Sequence, residues 1–137
     1  MRFSPQEIAE ITQAEIQKIG NVSSFQGVAI DSRSLKRGQL FIALKGEKTD
    51  GHLFVEEAVR KGAPGVLVSS VESGVGEVYV FQVPDTLLAL YQLGKGASRK
   101  LGGYKIAITG TVGKTTCKSF FDSLLSRRFL VEATPQS

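Results

Sequence analysis

Residues 106–116 narrow the possible folds more than any other part of the chain. They read Ile-Ala-Ile-Thr-Gly-Thr-Val-Gly-Lys-Thr-Thr. A short apolar run containing β-branched residues predicts a strand, two glycines punctuate the loop after it, and a helical pattern then runs to about Arg127. A strand, a tight loop and a helix in that order converge backbone N–H groups and the positive end of a helix dipole on one spot, as a phosphate requires. Gly110, Thr111, Val112, Gly113, Lys114, Thr115 and Thr116 are the candidate ATP-binding residues. Lys114 would neutralise the β/γ-phosphates and is the candidate catalytic residue, and the Thr115 hydroxyl is the candidate Mg²⁺ ligand. The loop departs from G-x-x-x-x-G-K-[ST], because that pattern's first glycine would fall on Ile108 and the glycine here is Gly110. The competing reading is an ordinary strand–turn–helix corner with a solvated Lys114.

The rest of the chain alternates strands and helices. Ser4, Pro5 and Glu7 form a helix start of the capping-box kind. Ile8, Ile11, Ala14 and Ile19 predict one apolar helix face up to Gly20, which suits the position after a helix end. Short strands are expected at 27–31, 39–44, 65–68 and 78–83, and a helix over 52–61, stopped by Gly62. Pro84 breaks the chain, and Asp85 or Thr86 caps a helix carrying Leu87, Leu88, Leu90, Tyr91 and Leu93 to about Lys100. Strands are expected again at 105–109 and 129–134. Phe41, Phe54, Phe81, Tyr91 and Phe120 are expected in the core. The pattern is α/β: a small N-terminal domain with a mixed sheet over 1–84, then the beginning of a P-loop domain over 85–137.

Bulk properties exclude several classes. The chain is 42% hydrophobic and 22% charged, as expected for a soluble globular protein, and carries a net charge of +4. Its cations are scattered in pairs, without the basic, aromatic-interleaved stripe of a nucleic-acid binder. No apolar stretch approaches the roughly 18–20 residues of a membrane span, so no membrane insertion is expected. The N-terminus has an early acidic residue and no apolar h-region, against a secretory signal. Cys117, the only cysteine, excludes an internal disulfide. A cytoplasmic location fits all of this. From residue 85 onward there are too few elements to bury a nucleotide-binding core, and the chain ends before a later strand could bring the second acidic residue that holds Mg²⁺, so a truncated P-loop domain is expected.

With the segments placed, nearly the whole chain resembles the ATP-dependent Mur ligases of peptidoglycan synthesis. The resemblance is carried by Asp31-Ser32-Arg33, by Gly38-Gln-Leu-Phe-Ile-Ala-Leu-Lys-Gly46, and by Asp50-Gly51-His52 with Phe54, Ala58, Gly62 and Ala63. Val83-Pro84-Asp85 with Ala89, Leu90 and Leu93 continues it, as does Thr109-Gly-Thr-Val-Gly-Lys-Thr-Thr116. Lys118 and Ala133-Thr-Pro-Gln-Ser137 are more similar to the member that adds D-Ala-D-Ala than to the member that adds the third peptide residue. Cys117 stands where Thr or Ser is commoner and reads as a small residue of the first helical turn.

The resemblance implies that the terminal carboxylate of UDP-N-acetylmuramoyl-tripeptide attacks the γ-phosphate of ATP to give an acyl phosphate. The amine of D-Ala-D-Ala then displaces phosphate. It implies that the N-terminal domain holds the UDP end, with Ile30, Ser32, Glu47, Lys48 and Thr49 as substrate-binding positions. It implies further that the remaining catalytic groups lie beyond Ser137, that this piece alone is inactive, and that the full-length enzyme is a monomer. Rival readings stay open. Asp31-Ser-Arg33 is also a plausible turn in which Arg33 pairs with Asp31 or Asp50, and His52 reads as a structural loop residue rather than an acid or base. At the level of function the alternatives are the third-residue ligase, a non-catalytic UDP-sugar-peptide binding module, and an unrelated P-loop kinase or GTPase.

Overall fold

The computed structural model describes residues 2–70 and 74–134. They fall into two compact units, Met1–Gly102 and Gly103–Ser137.

The first unit is a five-stranded mixed sheet with helices on both faces. Helix α1 (Pro5–Thr12) has the expected capping box: Ser4 Oγ accepts the Glu7 N–H at 3.2 Å, and Glu7 Oε2 accepts the Ser4 N–H at 2.8 Å. It ends eight residues before Gly20. Gln13 adopts the left-handed conformation (φ 53°), and the N–H groups of Gln13 and Ala14 both turn back to the Ala9 carbonyl. A left-handed helix stop built on Gln instead of Gly gives no local signal. The residues expected to continue the helix form β1 (Glu15–Lys18), an edge strand antiparallel to β5 that pairs Ile16 with Phe81. That partner lies far along the chain, and its hydrogen bonds outweigh the apparent 3.6-residue period.

The other strands are β2 (Val28–Ala29), β3 (Leu40–Ile42), β4 (Gly65–Val68) and β5 (Tyr79–Gln82), all close to the expected segments. The spatial order is β1-β5-β4-β3-β2, with β2 through β5 mutually parallel. The expected 52–61 helix is a 3₁₀ turn, Gly51–Phe54, leading into α2 (Val55–Arg60). Side-chain alternation along the strands splits the core in two. Leu40, Ile42, Leu67, Tyr79 and Phe81 point to one face with Phe25, Ile8, Ala89 and Leu93; Phe41, Val66, Val68 and Val80 point to the other with Val55 and Ala58.

Helix α3 (Thr86–Leu101) starts at Asp85, whose carboxylate accepts the Leu87 and Leu88 N–H groups at 2.9 and 3.0 Å. Ala89 and Leu93 are buried against the first core cluster, and the compact unit that contains them spans Met1–Gly102. Tyr91 (70% exposed) is not core, nor are Phe54 and Phe120; Phe41 and Phe81 are.

Among its described residues the second unit holds one helix, α4 (Lys114–Leu125). Residues 105–109 and 129–134, expected as strands, are not in a ladder, since a strand needs a neighbour for its backbone groups and the described residues of this unit offer none. No helix among the described residues is long and apolar enough to cross a membrane.

Candidate binding loops and phosphate loop

Strands β2, β3 and β4 run in the same direction, so the loops after their carboxyl ends open at one end of the sheet, where α/β folds receive ligands. Ile30, Asp31 and Ser32 follow β2. Glu47, Lys48 and Thr49 follow β3. The parallel pairing therefore brings to one end of the sheet two groups of candidates separated in the sequence.

The turn after β2 is fixed by its own charges. Asp31 accepts the Arg33 backbone N–H at 2.9 Å and the Arg33 guanidinium at 2.7 Å, and the Arg33 bonds pull the carboxyl down to about 2. Arg33 thus pairs with Asp31, not Asp50. Ile30 is half exposed, whereas Ser32 is only 4% exposed. The Ser32 hydroxyl donates to Glu57 Oε2 at 3.1 Å, and Lys61 Nζ donates to the Ser32 carbonyl at 3.0 Å. Glu57 and Lys61 are joined at 2.8 Å, and bonds from Lys61 first and Ser32 second hold the Glu57 carboxyl below its ordinary value.

The turn after β3 is closed by backbone bonds. The Gly46 N–H reaches the Thr49 carbonyl at 2.9 Å and the Gly51 N–H reaches the Leu44 carbonyl at 2.7 Å. A Cβ on Gly51 would sit 2.7 Å from the Leu44 backbone nitrogen and oxygen, which is why this position takes glycine. Glu47, Lys48 and Thr49 stand exposed at the tip.

His52, buried behind this turn, contacts Asp50 Oδ1 through Nδ1 at 2.6 Å and Ser69 Oγ through Nε2 at 3.1 Å. The sequence Asp–His–Ser has the contacts of a nucleophile–base–orienter trio. However, the Ser69 backbone N–H donates to Nε2 at 2.9 Å, so the ring's lone pair is already committed and its proton lies on Nδ1 toward Asp50. His52 is a clasp between the turn and the end of β4, as the structural reading expected. Its backbone N–H and then its ring lower the Asp50 carboxyl.

In the second unit the candidate phosphate loop has the backbone its glycines predict. Gly110 (φ 150°) and Gly113 (φ 81°) both occupy positive φ. Gly113 is the N-cap of α4 and contributes no capping side chain; the first helical bond runs from the Cys117 N–H to the Gly113 carbonyl at 2.9 Å. The N–H groups of Lys114, Thr115 and Thr116 precede that bond and have no acceptor within the helix. Lys114 Nζ reaches back to the Gly110 carbonyl, spanning the loop. Thr111, Val112, Thr115 and Thr116 are exposed. The Thr115 hydroxyl is a hard oxygen donor of the kind Mg²⁺ accepts, although the described residues contain no cluster of His, Cys, Asp or Glu that could hold a metal ion. Lys118 Nζ donates to the Thr134 carbonyl at 2.6 Å; positions 135–137 of the Thr-Pro motif lie outside the described residues.

Glu57, Lys61 and Ser69 are the site residues the sequence did not offer. Glu57 and Lys61 read as an ordinary i,i+4 surface pair, and Ser32 lies 25 positions from Glu57.

A five-stranded mixed sheet with loops gathered at the carboxyl ends of its parallel strands, in a chain that also carries a glycine-rich loop at a helix N-terminus, places the protein in the mixed α/β class. The more particular relationship comes from comparison. The family model described as "Mur ligase family, catalytic domain" matches residues 24–92, and the chain belongs to that family. It is 45% identical over 109 residues to the UDP-N-acetylmuramoyl-tripeptide–D-alanyl-D-alanine ligase of Bacillus subtilis, a match covering 79% of this chain and 24% of the relative. It is 34% identical over 118 residues to the UDP-N-acetylmuramoyl-L-alanyl-D-glutamate–2,6-diaminopimelate ligase of Clostridium perfringens, covering 82% and 24%. Among solved structures, MurF from Acinetobacter baumannii superposes with a TM-score of 0.83 at 34% identity, over 93% of this chain and 28% of that one. MurF from Thermotoga maritima in complex with ADP gives 0.63 at 29% identity, over 74% and 23%. The chain thus spans about a quarter of the length of the curated relatives it matches.

Proposed function

We propose that this chain is part of an ATP-dependent, ADP-forming ligase that joins D-Ala-D-Ala to UDP-N-acetylmuramoyl-tripeptide in the cytoplasm. In this reading residues 1–84 hold the UDP end of the precursor and residues 85–137 begin the ATP-binding domain of an enzyme that is monomeric at full length. The observation that carries the reading is the 45% identity over 79% of the chain to a ligase of that name. The geometry agrees with it: two loops converge at the sheet end that receives ligands, and an uncapped helix start follows positive-φ glycines.

A carboxylate at neutral pH is a poor electrophile, so the reaction needs activation. The tripeptide carboxylate oxygen attacks the γ-phosphorus, the β–γ bridging oxygen leaves with ADP, and the resulting acyl phosphate is attacked by the dipeptide amine. A tetrahedral intermediate then expels phosphate and the amine loses a proton. Catalysis of this kind is positioning plus charge neutralisation. Lys114 would exchange its bond to the Gly110 carbonyl for the β/γ-phosphates, while the N–H groups of 114–116 and the loop residues 110–113 cradle them. Thr115 would hold Mg²⁺, which neutralises phosphate charge when bound. Ile30, Ser32, Glu47, Lys48 and Thr49 would contact the UDP moiety.

Calorimetric titration of the 137-residue chain with UDP-N-acetylmuramoyl-tripeptide, UDP and Mg·ATP tests the first half. Saturable heat with both UDP ligands is expected, and silence from a folded protein would refute it. In the full-length enzyme, phosphate release should require the UDP-tripeptide and D-Ala-D-Ala together, and Lys114→Ala should abolish it. The 34% identity to a diaminopimelate ligase supports a second reading, third-residue addition, which release driven by a free diamino acid would favour.

A further inference from the structure

Helix α2 and its C-cap residue Lys61 grip the turn after β2 at two points of a single residue. The Ser32 hydroxyl donates to Glu57 Oε2 at 3.1 Å, Lys61 Nζ donates to the Ser32 carbonyl at 3.0 Å, and Glu57 and Lys61 close the triangle at 2.8 Å. Ser32 is therefore fixed through side chain and main chain alike, and the half-exposed Ile30 sits two residues before it. A hydroxyl has one proton. Committed to a carboxylate, the stronger acceptor, that proton leaves Ser32 Oγ able only to accept from a ligand.

We infer that Glu57 and Lys61 are positioning residues for the nucleotide end of the substrate, fixing the backbone of residues 30–33 and setting Ser32 as an acceptor for an N–H donor of the base. The inference rests on the proposed UDP-binding role of this end of the sheet. Neither side chain needs to touch the nucleotide; both act through Ser32. A helix-surface ion pair with no such role would leave affinity for UDP unchanged.

The test is titration of the 137-residue chain with UDP for wild type, Ser32→Ala, Glu57→Ala, Glu57→Gln, Lys61→Ala and the double variant Ser32→Ala/Glu57→Ala, each with its thermal melt. Glu57→Ala should weaken UDP about tenfold, the equivalent of one charge-assisted hydrogen bond. Glu57→Gln, whose amide oxygen still accepts the hydroxyl, should recover most of that loss, and Lys61→Ala should lose several-fold. The double variant should bind no more weakly than the worse single one, because Glu57 works through Ser32. Wild-type affinity in Glu57→Ala, or losses that simply add, overturns the inference. If Glu57→Ala melts below the assay temperature, Lys61→Ala and Glu57→Gln carry the test, and wild-type affinity in Lys61→Ala overturns it. A wild-type chain silent toward UDP removes the UDP-binding reading and the inference with it; wild-type binding with unaltered variants removes the inference alone.

Discussion

The first unit buries Phe25, Phe41, Phe81 and Leu67 almost completely between its sheet and helices, whereas none of the described residues of the second unit is buried. Phe120, Leu124, Phe129 and Leu130 of the second unit are at least half exposed. Yet the candidate phosphate loop has its positive-φ glycines and its helix start all the same. A loop of this kind is written by local backbone preference, because glycine tolerates those dihedrals without strain and a helix needs only its own residues to aim its first N–H groups. The candidate substrate turns of the first unit are different. Each depends on a residue brought from elsewhere: Glu57 and Lys61 for Ser32, Ser69 for His52. Local preference suffices for the backbone of the glycine loop, while the turns of the first unit draw on a packed core.

The contrast can be broken most sharply at Phe81, which is fully buried between the Phe25 and Tyr79 rings. Phe81→Ala should destabilise the first unit by about 3–5 kcal/mol in urea titration, whereas Phe120→Ala, at 63% exposure, should cost less than about 0.5 kcal/mol. Equal losses would end the comparison. Gly51→Ala forces a Cβ against the Leu44 backbone and should cost about 1–3 kcal/mol by the same measurement, with UDP affinity falling as the turn opens. Gly113→Ala sits at φ 81° and should cost about 1–2 kcal/mol, visible as weakened Mg·ATP binding in the full-length enzyme with the first unit's melting temperature unmoved. The smallest effect concerns acid. The Asp31 carboxyl drops from 3.8 to about 2 on folding, so its contribution is fully present above pH 3.8 and is lost as pH falls toward 2. Melting temperature should decline across that window, and Asp31→Asn should flatten part of the decline.

Much of this was legible from the chain. The capping box at Ser4, the Asp85 cap, the apolar runs of β3, β4 and β5 and the loop glycines are local signals, and each element formed close to where it was expected. The helix expected to reach Gly20 failed for a definite reason. Gln13 took the left-handed stop usually left to glycine, and the following residues paired with β5 across more than sixty positions, as with Glu15 and Gln82. Strands at 105–109 and 129–134 failed for the converse reason: an apolar β-branched run becomes a strand only with a neighbour. The candidate site was half legible. Its motif positions could be named, but the residues that hold them could not, because an i,i+4 Glu–Lys pair looks the same whether it faces water or a serine.

The sequence by itself determined the local devices of this protein: its caps, its strand runs, the dihedrals of its glycine loop and, through the order of its motifs, its family. These depend on interactions between residues a few positions apart, which propensity and steric rules fix before any tertiary contact exists. The tertiary structure alone decided which loops share one end of the sheet, that residues 15–18 are an edge strand, and that Ser32 and His52 are clasped by Glu57, Lys61 and Ser69. Those are pairings between distant positions, and they acquire a free energy only once the core has brought the partners within hydrogen-bonding distance.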